Sequence, residues 1–207
     1  PQQGYAIEGM ADDCAGMLRE LGIARAHVFG VSMGGMIAQR LALRHPAQVH
    51  GLVLGCTYFG GREAVQAQPR ILDLLRLMPN ESMDLRQVAY LQEEALYCQA
   101  FRASQRPLLD CFFDLRMQNP TPLHAVLGQA QAIAAFDASR DVAGIRAPTL
   151  LLTGDSDVLI PPENSRLLAQ RIPAARLVTI PQAAHEFWIE QPQATAQAVI
   201  PFLQGLA

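Results

Sequence analysis

Ser32 stands between glycines in Gly30-Val31-Ser32-Met33-Gly34-Gly35, and residue types able to complete its chemistry follow later in the chain. They are Asp155 and Asp157 in Gly154-Asp155-Ser156-Asp157, and His185 in Ala183-Ala184-His185-Glu186. A serine hydroxyl is a weak nucleophile at neutral pH, so it needs a base within hydrogen-bond reach and an acid to orient that base. A serine on a sharp turn between a strand and a helix projects its hydroxyl into a cleft at the strand ends. The backbone N–H of Met33, opening the following helix, then points where an oxyanion would form and gains from the helix dipole. As five letters, Gly-x-Ser-x-Gly is only moderately specific; its strand-turn-helix setting makes it a mechanical expectation.

His185 suits the base because it lies in a loop between an apolar run and the last helical stretch. The other histidines suit it less: His27 and His50 fall in strand-like runs, His45 ends a helix, and His124 lies in the middle of the chain. The acid is open on spacing alone. Asp155 and Asp157 are one residue apart in an extended loop and cannot both face one imidazole, and either could instead cap the turn or the next helix.

These residues need a scaffold that brings distant loops together. Ile7, Met10, Cys14, Met17, Leu18 and Leu21 recur at helical spacing, with Gly22 placed as a C-cap. Ala26 to Gly30 reads as a strand, and Met33 to Arg44 as a helix stopped by His45-Pro46. Val49 to Cys56, Pro148 to Thr153 and Leu177 to Ile180 read as further strands, with helices opening at Pro162 and Pro192. Near-continuous apolar strands alternating with helices imply an α/β fold, a mostly parallel sheet covered by flanking helices. Residues 62–140 are too long for an ordinary connection and carry helical patterns. Leu85, Val88, Leu91, Ala95 and Cys98 mark one helix face there, and Thr121-Pro122 reads as an N-cap followed by a first-position proline. The expected organisation is a core of 1–61 and 141–207 with an inserted helical cap over 62–140.

Bulk properties narrow the partner. The chain has 207 residues, half of them apolar, and a formal net charge of −3 with its basic residues scattered. That pattern gives no electrostatic footprint for nucleic acid or an anionic membrane and points to a small molecule. No stretch approaches the run of about 20 apolar residues that a membrane helix needs. Cys14, Cys56, Cys98 and Cys111 lack CxxC spacing and sit in apolar neighbourhoods, as reduced buried thiols do, so the expected compartment is cytoplasmic. Trp188, Phe59, Tyr58 and Met36 are candidates for an apolar pocket and equally for core.

In order along the chain, the phrases MADDCAGMLRELGI, GVSMGG, LVLGC, TGDSDVLIP and AAHEFWIEQP resemble the α/β-hydrolase superfamily, in particular its cofactor-free esterase, enol-lactonase and non-haem haloperoxidase branch. The resemblance covers both ends of the chain and leaves the cap without a signature. It implies a serine hydrolase acting on a small carboxylic ester or lactone through an acyl-enzyme, with no metal or organic cofactor. Ser32 would be the nucleophile, His185 the base and Met33 N–H an oxyanion donor. The family's Gly-x-x-Asp phrase selects Asp157 as the acid and leaves Asp155 as a turn residue. The alternative acid position of some relatives is closed, since Gly55 to Gly61 holds no Asp or Glu.

Two local departures are Ala184, where a glycine commonly precedes the histidine, and Pro201, which should kink the last helix. A larger one is the lack of the family's earlier strands and of the loop that supplies a second oxyanion donor. The chain opens at Pro1 in a phrase, to Tyr5, that reads as a loop entering a helix. The expectation is a missing N-terminal part of roughly 50 to 80 residues, judged from usual domain sizes. The serine-bearing strand then lies at an exposed sheet edge, expected to pair with another copy, giving a homo-oligomer, or with the missing segment. Other readings keep the fold. An acyltransferase or perhydrolase would use the same triad with a rate that depends on the acceptor, and a ligand-binding member would leave Ser32 unreactive.

Overall fold

A computed structural model describes residues 5–206; Pro1 to Gly4 of the entering loop lie outside the described residues. Helix α1 (Ile7–Glu20) buries Ile7, Ala11 and Ala15, while Met17 and Leu21, expected on the same apolar face, point outward. Its end follows from Gly22, which at φ 69° adopts the left-handed conformation glycine takes without steric cost. The N–H groups of Gly22 and Ile23 then reach back to the carbonyls of Arg19 and Leu18, closing a Schellman motif.

Four strands follow in parallel and in sequence order: β1 (Ala26–Val31), β2 (Val49–Gly55), β3 (Thr149–Gly154) and β4 (Arg176–Ile180). The register aligns Val31 with Gly55, Gly55 with Leu152, and Gly154 with Ile180, so the strands reach the same end of the sheet together. Side chains alternate across the sheet as the pleat requires. Leu52, Leu54 and Leu151 join the core under α1, α2 (Met33–Arg44) and α8 (Glu163–Arg171). Val53, Leu150 and Leu152 join the opposite core under α9 (Phe187–Glu190) and α10 (Pro192–Gln204). Among the described residues β1 pairs on one side only, and Phe29 on it is 47% exposed, so the serine-bearing strand forms the sheet edge.

Five α-helices separate β2 from β3: α3 (Pro69–Leu75), α4 (Leu85–Leu96), α5 (Gln99–Ser104), α6 (Arg106–Gln118) and α7 (Leu123–Ala135). Their two ends are sewn together where Ala138 N–H donates to the Phe59 carbonyl at 2.7 Å and Gly60 bridges Asp137. A side chain on Gly60 would run into the Phe136 carbonyl, so the closure needs glycine there.

Three local expectations are corrected. In α4 the buried side is Val88, Ala89, Glu93 and Ala95, with Leu85 and Leu91 outward and Cys98 beyond the helix; Glu93 is accommodated there by its pair with Arg106. Pro122 has extended ψ and itself precedes the first turn of α7, so Thr121 makes no cap. Pro162 likewise precedes α8 rather than opening it. Pro201 sits inside α10, which runs on to Gln204 although the proline ring has no N–H to give the preceding turn. No helix among the described residues is long and apolar enough to cross a membrane.

Candidate active site

Ser32 occupies the junction of β1 and α2 at φ 52°, ψ −120°, a conformation that costs a residue with a side chain about 1–3 kcal/mol and persists only where its surroundings impose it. The surroundings here are specific. Ser32 N–H donates to the Gly55 carbonyl at 2.9 Å, fixing the turn to the end of β2. The Ser32 carbonyl accepts from Gly35 N–H at 3.0 Å and from the Thr57 hydroxyl at 2.8 Å. A side chain on Gly30 would strike the Gly34 carbonyl and Ala38, and one on Gly35 would strike Thr57, so these glycines let strand, helix and the loop after β2 close on the serine. Met33 N–H is among the first-turn donors that a helix leaves without an intrahelical partner.

Asp157 and His185, 28 residues apart, meet in the interior: His185 Nδ1 lies 2.9 Å from Asp157 Oδ2, and the two side chains are 4% and 0% exposed. The other Asp157 oxygen accepts the backbone N–H groups of Leu159 and Ile160, both at 2.9 Å, so the carboxylate is held on both sides. A carboxylate that accepts at Nδ1 assigns the proton to that nitrogen and leaves a lone pair on Nε2. Burial opposes a charged ring, but the Cys56 sulfur and the Asp157 carboxylate beside it outweigh burial, and His185 titrates well above its ordinary value.

Asp155 has a different task. Its carboxylate accepts from Gln182 N–H at 3.0 Å and Ala183 N–H at 3.4 Å, while Ser156 N–H returns a bond to the Ala183 carbonyl. Gly154 packs so closely that a side chain there would strike the carbonyls of Ala183 and Ala184. The loop carrying His185 is thereby joined to the end of β3. Glu190, also buried, ties the same loop to the helical insertion: it accepts from Ala184 N–H at 2.6 Å and from Cys98 N–H at 2.7 Å. Glu186 N–H adds a bond to the Leu96 carbonyl.

Ser32 makes no hydrogen bond to His185 in this structure. His185 Nε2 instead faces the Cys56 sulfur at 4.0 Å, and the Ser32 backbone N–H also acts on that thiol. Cys56 therefore neighbours both residues, a position that its place among ordinary apolar-run cysteines did not signal. Thr57 and Glu190 were missed as well; neither belongs to a motif, and each acts through hydrogen bonds to backbone elsewhere in the fold. The remaining histidines lie elsewhere: His27 and His50 pack together near the N-terminal ends of β1 and β2, and His45 pairs with Asp12. Met36 and Phe59 are fully buried, and Tyr58 and Trp188 pack on the core clusters.

Two cavities lie against the loops that carry His185 and Asp157, one bordered by Glu186 and the other by Asp157. One, of about 250 Å³, lies between α4, α6 and Glu186 and is walled by Leu96, Tyr97, Phe112 and Phe113. The other, about 600 Å³ and more polar, runs beside Asp157 and Val158 towards Arg70 and Glu94.

A family model described as the alpha/beta hydrolase fold matches residues 1–192. A poly(3-hydroxyalkanoate) depolymerase of Ectopseudomonas oleovorans is 32% identical over 209 residues, spanning 99% of this chain and 70% of that protein. A protein named as the carbamate hydrolase RutD of Pantoea ananatis is 29% identical over 99% of this chain and 73% of its own length. The solved enol-lactonase of Burkholderia xenovorans LB400 superposes with a TM-score of 0.80 at 27% identity, covering 97% of this chain and 74% of that one. With the strained serine turn, the buried aspartate–histidine pair and the parallel sheet that delivers both, these likenesses establish that the chain belongs to the α/β-hydrolase fold family.

Proposed function

We propose that the protein is a serine hydrolase that cleaves a small carboxylic ester or lactone through an acyl-enzyme. The buried 2.9 Å pair of His185 Nδ1 and Asp157 carries this reading, because it leaves the Nε2 lone pair free to serve as a base beside the strained Ser32 turn. Ser32 attacks the carbonyl as His185 takes its proton; Asp157 holds the ring and stabilises the imidazolium. Met33 N–H supports the developing oxyanion at the start of α2. The alkoxide leaves with the proton from His185, and a water activated by the same nitrogen releases the acid. Hydrogen bonds between nucleophile and base often tighten only when substrate is bound, which accommodates the unlinked Ser32 of the free protein.

The cavity of about 250 Å³ that Glu186 and Ile189 border, next to the His185 loop, offers room for a small group. Its aromatic wall favours an apolar acyl or alcohol group. The enol-lactonase relative acts on a lactone, an internal ester, which agrees with this choice. The test is labelling with a fluorophosphonate and a panel of short esters, lactones and carbamates. Ser32-dependent labelling with ester or lactone turnover is the expected result; an unreactive Ser32, or turnover of carbamates alone, overturns the reading.

A further inference from the structure

Cys56, Asp157 and His185 bring ligand-type atoms within 4.8 Å of one another, all on buried residues, and they form the one such group found among the described residues. The hydrolytic reading uses the acid and the imidazole and leaves the thiol without a task. The three groups are not equivalent. Asp157 is engaged with Nδ1 and so lies behind the ring, whereas the Cys56 sulfur and His185 Nε2 face each other across 4.0 Å. With zinc bonds of about 2.3 Å to sulfur and about 2.0 Å to nitrogen, a tetrahedral ion would set those two atoms about 3.5 Å apart. The observed separation is longer than that by about 0.5 Å. Metal-binding histidines commonly have their second nitrogen held by a carboxylate that fixes the tautomer, which is the arrangement Asp157 supplies. Cys56 is itself held at φ 37°, in the left-handed region, at the end of β2.

We infer that Cys56 Sγ and His185 Nε2 form an inhibitory site for a thiophilic divalent cation, with Asp157 as the outer partner of the histidine. On binding, the Cys56 S–H bond breaks and its proton leaves to solvent, an S–metal bond forms, and the Nε2 lone pair is donated to the ion. No electron changes hands. The inhibition rests on the proposed role of His185, because the ion occupies the lone pair that the base needs; the binding does not.

Two readouts on the whole protein separate these. Cobalt(II) added to the metal-free chain should give a thiolate-to-cobalt charge-transfer band. Cys56→Ala and His185→Ala should each abolish it, while Ser32→Ala and Cys98→Ala retain it. Asp157→Asn should weaken binding about 10- to 100-fold, as loss of a histidine's outer partner does. Zinc should slow hydrolysis reversibly, with chelator restoring the rate, and Cys56→Ala should raise the zinc concentration for half-inhibition about tenfold or more relative to its own basal rate. No band in the wild-type protein, a band that survives both ligand variants, or equal zinc sensitivity in Cys56→Ala overturns the inference. Absence of any hydrolysis would defeat the reading of Ser32 and still leave the cobalt band to decide the metal site.

Discussion

The sheet and the helices between β2 and β3 are held by different physics. Every residue of β3 is buried, and β2 is nearly so. By contrast α6 buries only Leu109, α7 only two alanines, and α3 only Ile71. Charges make up much of the difference. Arg106 grips Glu93 through two bonds of 2.7 Å, Arg86 reaches Asp110 and Asp114, and Arg70 pairs with Glu94. Exposed pairs are each worth about 0–1 kcal/mol, against about 1.5–3 kcal/mol for a fully buried aliphatic side chain. Burial therefore concentrates stabilisation in the sheet, and the helices between β2 and β3 that bury least are expected to open at lower cost. Chemistry placed on the sheet ends and recognition placed under the insertion would divide rigidity from adaptability.

The sharpest test of that division is Ser32→Ala. If chemistry resides on the sheet ends, ester turnover should fall about 10⁶-fold, with the unfolding midpoint little changed. An equal loss from any substitution confined to 62–140 would break the comparison. Next comes Asp157→Asn, expected to cost about 10⁴-fold in turnover by misorienting the imidazole. Because His185 is held above its ordinary value near 6.5, the wild-type acid limb should lie above that pH, with activity rising as the ring loses its proton. The variant's limb should move down as the carboxylate's contribution disappears. The same elevation means that the charged pair contributes stability that is complete below histidine's ordinary pKa and is lost as pH rises through the raised one. A pH–rate profile and pH-dependent denaturation check both signs.

Smaller effects address packing. Leu152→Ala, at a fully buried position in β3, should cost about 2–5 kcal/mol of global stability, whereas Leu115→Ala, 54% exposed on α6, should cost about 0.5 kcal/mol or less. Denaturant midpoints at matched slopes compare them; similar losses would erase the distinction. A more local change is Glu190→Gln, which keeps the shape but gives up the charge on both bonds and turns an amide NH2 toward one of the two N–H donors, at about 1–3 kcal/mol. Hydrogen exchange that quickens more at Ala184 and Cys98 than in β3 would sharpen the view of Glu190 as a tie between the two regions.

Legibility in the sequence follows the same division. Runs such as GLVLG and TLLLT announce buried parallel strands because both faces are apolar, and their bounds fall within a residue or so of those observed. The serine turn was legible because a strained conformation demands small neighbours at fixed offsets, and Gly30 and Gly35 supply them. The meeting of Asp157 with His185 was anticipated by family resemblance where spacing alone could not separate Asp157 from Asp155. The insertion was harder to read. Its apolar residues recur at helical intervals, yet Leu85 and Leu91 face outward while Glu93, paired with Arg106, is buried beside Val88 and Ala95. Cys56 and Glu190 left no pattern at all, since each matters through a contact with a residue far away in the chain.

Gly154 has a consequence for how such an enzyme can be altered. Its backbone lies so close to the carbonyls of Ala183 and Ala184 that the Asp157 loop and the His185 loop mesh like two gears. A chimera joined between residues 157 and 182 would pair gears cut for different partners. Transplanting or recombining this chemistry therefore calls for 154–190 as a single block, with Glu190 as its last tooth.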